Sequence, residues 1–128
     1  MTVRELDAFV DNMFPSLLKK AADTNVFILE SADKALISLC MNASENKVFN
    51  SLASQQNVRH ATMKVKVAMC YNALIEKLGS KIRSFPHGDK LVQILSNYLN
   101  EGALEVRNTA KIGFLQLKQA FPSQRDLD

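Results

Sequence analysis

Residues that interrupt regular secondary structure are scarce in this sequence. Its 128 residues include three prolines, four glycines, two cysteines and no tryptophan. Scarce proline and glycine allow long helices and disfavour a β-architecture, which needs many turns. Two cysteines are too few for a disulfide framework. No apolar run approaches the roughly 18 residues of a membrane span, and the N-terminus lacks a signal-peptide core, so we expect an intracellular, soluble protein that binds no membrane.

Charge of one sign is not concentrated anywhere in the chain. The net charge is +3, the pI is about 9.0, and no group of four or more neighbouring lysines and arginines occurs. A dedicated nucleic-acid binder carries a denser basic patch. The pairs Lys64 with Lys66 and Lys81 with Arg83 therefore support nucleic-acid binding only weakly, and we expect no nucleic-acid partner.

Residue patterns of enzymes and metal sites are also missing. The two histidines, His60 and His87, are far apart and have no cysteine or carboxylate at metal-ligand spacing. The sequence contains no glycine-rich phosphate loop, no G-x-S-x-G and no H-E-x-x-H motif. It therefore predicts no enzymatic activity, no metal and no cofactor. We expect His60 on the exposed first turn of a helix and His87 in a loop.

What the sequence does contain is apolar residues at helical spacing. They recur every three or four residues, which is typical of amphipathic helices. No segment alternates apolar and polar residues as a half-buried strand does. Six helices are predicted, separated by polar turns and one loop at 79–88; they cover about residues 2–21, 26–41, 47–54, 58–78, 89–100 and 103–121.

These helices pair through tight turns into three hairpins. Placing Ile28, Val58 and Val106 in register gives spacings of 30 and 48 residues, whose average is typical of HEAT repeats. We predict an all-α fold, an α-solenoid of about three HEAT-like helical hairpins in one domain (1–122), with a disordered tail at 123–128. A generic helical bundle is the alternative. The register also puts Cys40 and Cys70 on neighbouring helices, too far apart to form a disulfide, so both thiols are expected to be free.

Stacked hairpins align their connecting turns along one edge of the molecule. Basic and amide side chains occur in all three turns, a composition that suits an acidic protein surface. The alternative is that these side chains only solubilise the chain and cap its helices. The residues concerned are Lys19, Lys20, Asp23, Thr24 and Asn25; Gln56, Asn57, Arg59 and His60; and Asn100, Glu101, Glu105, Arg107 and Asn108.

Several runs of residues resemble a known family. They are the run 14–20, which begins Phe14-Pro15, the turn Ala22-Asp23-Thr24-Asn25, and the pairs Val58-Arg59 and Val106-Arg107. Together they resemble TOG domains, most closely those of the crescerin group and more distantly CLASP-type domains. The resemblance spans about residues 9–121.

This resemblance implies a paddle of HEAT repeats whose aligned turns bind tubulin, in the cytoplasm and on the cytoskeleton, with crescerin members acting on ciliary microtubules. Three repeats are half the usual number, so we expect the second half of a larger domain. The apolar Val26 and Leu29 stand where the family usually has Lys or Arg, which predicts a weaker electrostatic contact at the first turn. The implied tubulin-facing residues are Lys19, Lys20, Asn25, Asn57, Arg59, His60, Arg107 and Asn108.

Two further interpretations stay open. A scaffold of HEAT or ARM type binds another protein or a peptide on a helical face, and an exposed apolar groove would favour it. A truncated solenoid also exposes an apolar end layer, which predicts self-association through the first hairpin at Leu6, Phe9, Val10 and Phe14.

Overall fold

The fold is helical throughout the part of the chain that the structure describes. A computed structural model describes residues 2–55 and 60–120. Within these ranges it contains six α-helices, one 3₁₀ helix and no strand, which confirms the all-α prediction. The 3₁₀ helix covers Gly79–Ser84, and the α-helices are α1 (Val3–Ala21), α2 (Val26–Asn42), α3 (Glu45–Ala53), α4 (Ala61–Leu78), α5 (Gly88–Tyr98) and α6 (Leu104–Ala120).

Residues with capping side chains or special backbone conformation set several helix ends. Thr2 Oγ1 accepts a hydrogen bond from Glu5 N at 3.2 Å and begins α1, because a side-chain oxygen can satisfy an N–H that has no partner within the helix. Helix α1 continues through Pro15. Gly79 ends α4 at a φ of 52°, which glycine adopts without steric cost. The predicted loop 79–88 instead begins with the 3₁₀ helix, which is anchored by the buried Ile82.

Helices α2, α4 and α6 form one layer with α4 in the middle, and α1, α3 and α5 pack against them as a second layer. Helices α2 and α4 are parallel: Lys66 Nζ lies 2.8 Å from Asp33 Oδ2, and further along both helices the buried Cys40 and Cys70 thiols interact. These two contacts advance in the same direction along both helices, so the N-terminal ends of α2 and α4 lie on the same side.

Helices α4 and α6 are parallel by the same reasoning. Lys64 Nζ lies 2.9 Å from Glu101 Oε1, just before α6, and Asn72 Nδ2 donates to Thr109 O at 2.9 Å within it. Three parallel helices in one layer, each with its hairpin partner in the other, form the predicted three-hairpin solenoid.

The register predicted between α4 and α6 is wrong. It paired residues that are 48 positions apart in the sequence, such as Thr62 with Ala110. In the structure, Lys64 contacts Glu101, 37 positions further along the chain, and Asn72 faces Gly113, 41 positions further along. Judged by the contact of Asn72 with Gly113, the predicted offset is seven residues too large, which is about two helical turns. A shift by two whole turns keeps the same side chains on the same side of a helix, so the faces of α4 and α6 that meet were predicted correctly. Helix α4 begins at Ala61. The predicted start, Val58, lies outside the described residues.

The core contains both cysteines and an aromatic cluster beside the 3₁₀ helix. Cys40 and Cys70 are free and buried, as predicted. The hydrogen bond with Cys40 and burial raise the pKa of the Cys70 thiol, which keeps it protonated and unreactive. His87 is not a plain loop residue: it directly precedes α5 and stacks on Phe49 with ring centroids 4.6 Å apart.

Two carboxylates of α1 hold α3 in place. Asp7 Oδ1 accepts a hydrogen bond from Ser44 N at 2.9 Å at the start of α3. Asp11 accepts from Lys47 Nζ at 2.7 Å and from Ser51 Oγ, and these two bonds lower the pKa of the Asp11 carboxyl below its ordinary 3.8. Because α3 covers this side of α1, the opposite side of α1 faces outward.

The ion pair between α2 and α4 is expected to contribute more to stability than an exposed pair. The Lys66 and Asp33 side chains are only 15% and 26% exposed, and Asp33 Oδ1 is buried with no hydrogen-bond partner among the described residues. Replacing Lys66 by Met leaves this carboxylate unpaired, so we expect the free energy of unfolding to fall by about 1–2 kcal/mol in urea denaturation.

Two variants control this measurement. Lys47→Met breaks a pair whose side chains are 37% and 62% exposed, and it should cost less than about 1 kcal/mol. The double variant Asp33→Asn, Lys66→Met removes both charges and should be more stable than Lys66→Met alone. Equal losses for Lys66→Met and Lys47→Met would contradict a role for burial.

Candidate protein-binding edge

The parallel arrangement of α2, α4 and α6 brings their N-terminal ends, and the turns that precede them, to one edge of the solenoid. We call this surface the turn edge; it comprises the turn 22–25, His60 and the turn 99–103, with side chains from the adjoining helical turns. The Lys64–Glu101 ion pair connects the second and third levels directly.

Hydrogen bonds within the first turn fix its shape. Asp23 Oδ1 accepts from Asn25 N at 2.8 Å, and Asn25 Oδ1 accepts from Phe27 N at 3.0 Å and Ile28 N at 3.3 Å. Asn25 thereby satisfies two N–H groups at the start of α2 that have no carbonyl partner within the helix. The predicted site residue Asn25 is exposed on the turn edge and serves as an N-cap that holds the turn.

A basic pair and an exposed aromatic ring lie beside this first turn. Lys19 and Lys20 are exposed in the last turn of α1. Phe27 is 83% exposed and Val26 is 58% exposed at the start of α2. Aromatic side chains are enriched at the centre of protein interfaces, and positive charge attracts an acidic partner, so the first level has both an apolar anchor and positive charge.

The second level is described only in part. His60 is exposed at the N-cap position of α4, just before the helix and not on its first turn, and its side chain makes no capping hydrogen bond. The predicted site residues Asn57 and Arg59 lie outside the described residues. His60 is therefore the predicted site residue that the structure places at this level.

At the third level, one predicted site residue supports the turn and another faces solvent. Arg107 Nη1 donates to Glu101 O at 2.7 Å and to Gly102 O at 2.9 Å, so the half-buried guanidinium clamps the turn from inside α6. Asn108 is exposed next to it. Arg107 is consequently a positioning residue for the turn.

Positive charge at the described part of the turn edge is concentrated at the first level. Lys19 and Lys20 face one acid in the turn, Asp23. Glu101 at the third level is paired with Lys64. Behind it, burial and then the Glu101 charge raise the pKa of Tyr98 to about 12, so the phenol stays neutral at physiological pH.

The described residues show no grouping suited to metal chemistry. In 2–55 and 60–120, three or more His, Cys, Asp or Glu side chains do not come together in a way that could hold an ion. Among the helices of these same ranges, none combines the length and the apolar character that crossing a bilayer demands.

Comparison with known proteins assigns the family of the chain. The N-terminal domain of CLASP matches residues 2–128. The chain belongs to the CLASP N-terminal family. No curated protein and no solved structure matches the chain. CLASP N-terminal domains are microtubule-associated, TOG-like and structural rather than known as enzymes, which agrees with the three-hairpin solenoid and with the broader TOG resemblance. The closer resemblance to crescerin domains stays a prediction.

Sequence reasoning missed the residue that dominates the exposed apolar surface of this CLASP N-terminal domain. Phe27 is not among the predicted site residues, and the neighbouring Val26 and Leu29 predict only a weaker electrostatic contact. A signal was present: Phe27 lies about 100° around the helix from Ile28, off the stripe that includes Ala32 and Leu36. An aromatic residue off the inward stripe predicts an exposed ring.

Proposed function

We propose that this CLASP N-terminal domain binds tubulin, through the turn edge and without catalysis. The observation that supports the proposal most strongly is the shared direction of α2, α4 and α6, because it sets three turns in one row. The family supplies the microtubule association, and the turn edge supplies an extended surface on which a protein of that size can rest.

The first level supplies most of the binding energy in this proposal. Lys19 and Lys20 attract an acidic surface and form charge-assisted hydrogen bonds with its carboxylates. The Phe27 side chain is 83% exposed in the free chain, so a partner that covers it removes most of its surface from water. Burial of an aromatic ring is a typical source of hot-spot binding energy. In this proposal, the weaker electrostatic contact expected at the first level is accompanied by an apolar contact through Phe27.

The other predicted residues have distinct roles in the proposal. Asn25 and Arg107 hold their turns in shape through the hydrogen bonds described above. His60 and Asn108 are exposed and contact tubulin directly, and Arg59 and Asn57 stay candidates from the sequence. Action on ciliary microtubules and a location on the cytoskeleton are parts of the same proposal that rest on the resemblance to TOG domains.

Charge reversal at the first level tests the proposal. We expect Lys19→Glu, Lys20→Glu to weaken binding to purified tubulin at least tenfold in sedimentation or size-exclusion experiments, because two attractive contacts become repulsive. The matched control is Lys90→Glu, Lys118→Glu, which makes the same charge change at exposed sites. Lys90 lies in the first turn of α5 and Lys118 in the last turn of α6, so both lie at the edge opposite the turns.

The comparison between the two variants decides the outcome. Equal affinity of the turn-edge variant and the control would overturn the proposed edge. Equal helicity of the two variants by circular dichroism shows that any difference comes from the surface and not from unfolding. Absence of tubulin binding by the unchanged chain would overturn the function itself and favour a scaffold for another protein.

A further inference from the structure

The outward side of the first hairpin is an apolar groove. Helix α1 has α3 on one side and α2 has α4 on one side, so the groove between α1 and α2 opens away from the rest of the solenoid. Its volume is about 400 Å³. Its lining is largely apolar with a single charged group: Leu17, Lys20, Phe27, Ile28, Ser31 and Ala32.

The predicted end layer needs a correction at this point. Val10 and Phe14 were expected on the open end of the solenoid, but both are completely buried in the core. Phe9 is 51% exposed, as expected, and Met13 is 37% exposed one turn later. The exposed apolar stripe of α1 therefore differs from the predicted one. The contacts of Asp7 and Asp11 with α3 fix the rotation of α1 about its axis, and at this rotation Val10 and Phe14 face inward.

The outward stripe of α1 has an ordered charge pattern. Glu5, Phe9, Met13, Leu17 and Lys20 follow one another at spacings of three and four residues, which places them on one face. An acid lies at the first end, a base lies at the last end, and the three residues between them are apolar. Two such helices placed antiparallel would have opposite charges facing each other at both ends and apolar residues facing each other in between.

We propose that two copies of this chain associate through the outward sides of their first hairpins, with the two α1 helices antiparallel about a two-fold axis. Such a pairing sets Glu5 of each copy opposite Lys20 of the other, and it brings the two Met13 side chains together near the axis. Phe9 of each copy then lies against Leu17 of the other. The contact runs for about 22 Å, since the helix rises about 1.5 Å per residue, and it forms a closed dimer.

The other exposed end of the solenoid is a poorer partner for this groove. Leu104 and Leu115 of α6 are 59% and 60% exposed, but they lie eleven residues apart with the polar Asn108 and Lys111 between them on that face. A head-to-tail stack would also continue indefinitely, whereas the α1 pairing closes at two copies.

Exchanging the two charges in separate variants tests the pairing. We expect the unchanged chain to give a concentration-dependent mass approaching twice 14.3 kDa in light scattering or sedimentation. Glu5→Lys and Lys20→Glu each place like charges opposite one another and should weaken self-association about tenfold or more. An equal mixture of the two variants restores both opposite-charge pairs and should dimerise as the unchanged chain does.

Each result either supports or overturns the pairing. A monomer at all concentrations overturns it, and so does a mixture that associates no better than the single variants. Leu115→Lys on α6 should leave the dimer intact; larger assemblies that this variant disrupts would mean head-to-tail stacking and overturn the antiparallel contact. Glu5 lies at the end of α1 away from the turn edge, so the Glu5→Lys variant tests the dimer without altering the proposed tubulin contact.

Discussion

Replacing Phe27 by alanine is expected to weaken tubulin binding by roughly ten- to a hundredfold, the range of a hot-spot residue at an interface. The ring is 83% exposed in the free chain, so its removal should change the free energy of unfolding by less than about 0.5 kcal/mol. The measurement is a titration of labelled tubulin with each variant, with urea denaturation of the same samples.

Ile112→Ala is the matched control for this prediction. Ile112 is 56% exposed on α6 and lies two turns beyond the turn edge, so its truncation removes an exposed apolar side chain without touching the proposed contact. Tubulin affinity should stay unchanged in this variant. Equal losses in the two variants would mean that exposed apolar surface anywhere on the chain drives the association, and the turn edge would lose its support.

Replacing Gly113 by alanine is expected to lower the free energy of unfolding by about 2–3 kcal/mol. A Cβ at this position would overlap Asn72 Oδ1 and lie 3.2 Å from Asn72 Cγ and 3.3 Å from Leu95 Cδ1. The Asn72 amide would have to move and give up its hydrogen bond to Thr109 O. The costs of overpacking and of a lost buried hydrogen bond exceed the roughly 1 kcal/mol that alanine gains over glycine within a helix.

Two further variants make this prediction specific. Gly102→Ala meets no atom within 4 Å, so it should be neutral within about 0.5 kcal/mol. Adding Asn72→Ala to Gly113→Ala removes the overlapping amide, and the double variant should be more stable than the sum of the two single changes predicts. Additive losses in urea denaturation would show that Asn72 is not what confines position 113.

Local patterns were enough to predict the helices and their pairing. Thr2 and Asn25 are capping residues that stand before apolar residues at helical spacing, and both begin a helix in the structure. The inward residues of α5, Leu91, Leu95 and their neighbours, repeat at three and four residues and are buried. These features depend on a few adjacent residues, so sequence alone carries them.

The offset between α4 and α6 could not be read in the same way. Helical faces repeat about every seven residues, so a shift of two turns leaves the apolar pattern unchanged. What fixes the offset is the pairing of Lys64 with Glu101 and the close approach of Asn72 to Gly113. These are contacts between residues far apart in the chain, and each polar residue had several candidate partners in the sequence.

The candidate site was predictable in position but not in the role of each residue. Asn25 and Arg107 were correctly placed at turns, yet their hydrogen bonds make them supports for those turns. Whether a polar side chain faces a partner or its own backbone depends on turn geometry that the sequence does not specify. Phe27 was missed because an apolar residue is by default predicted to be buried, and only the structure shows that this one is exposed.

Phe27 and Lys20 lie where the turn edge meets the outward groove of the first hairpin. A Lys20 side chain paired with Glu5 of a second copy is not available to a third molecule, so self-pairing and tubulin capture compete for this residue. At low concentration the dimers would dissociate into chains able to bind tubulin, and at high concentration more of the chains would be dimeric. By mass action, the local abundance of this domain would set how much of it is available to the cytoskeleton.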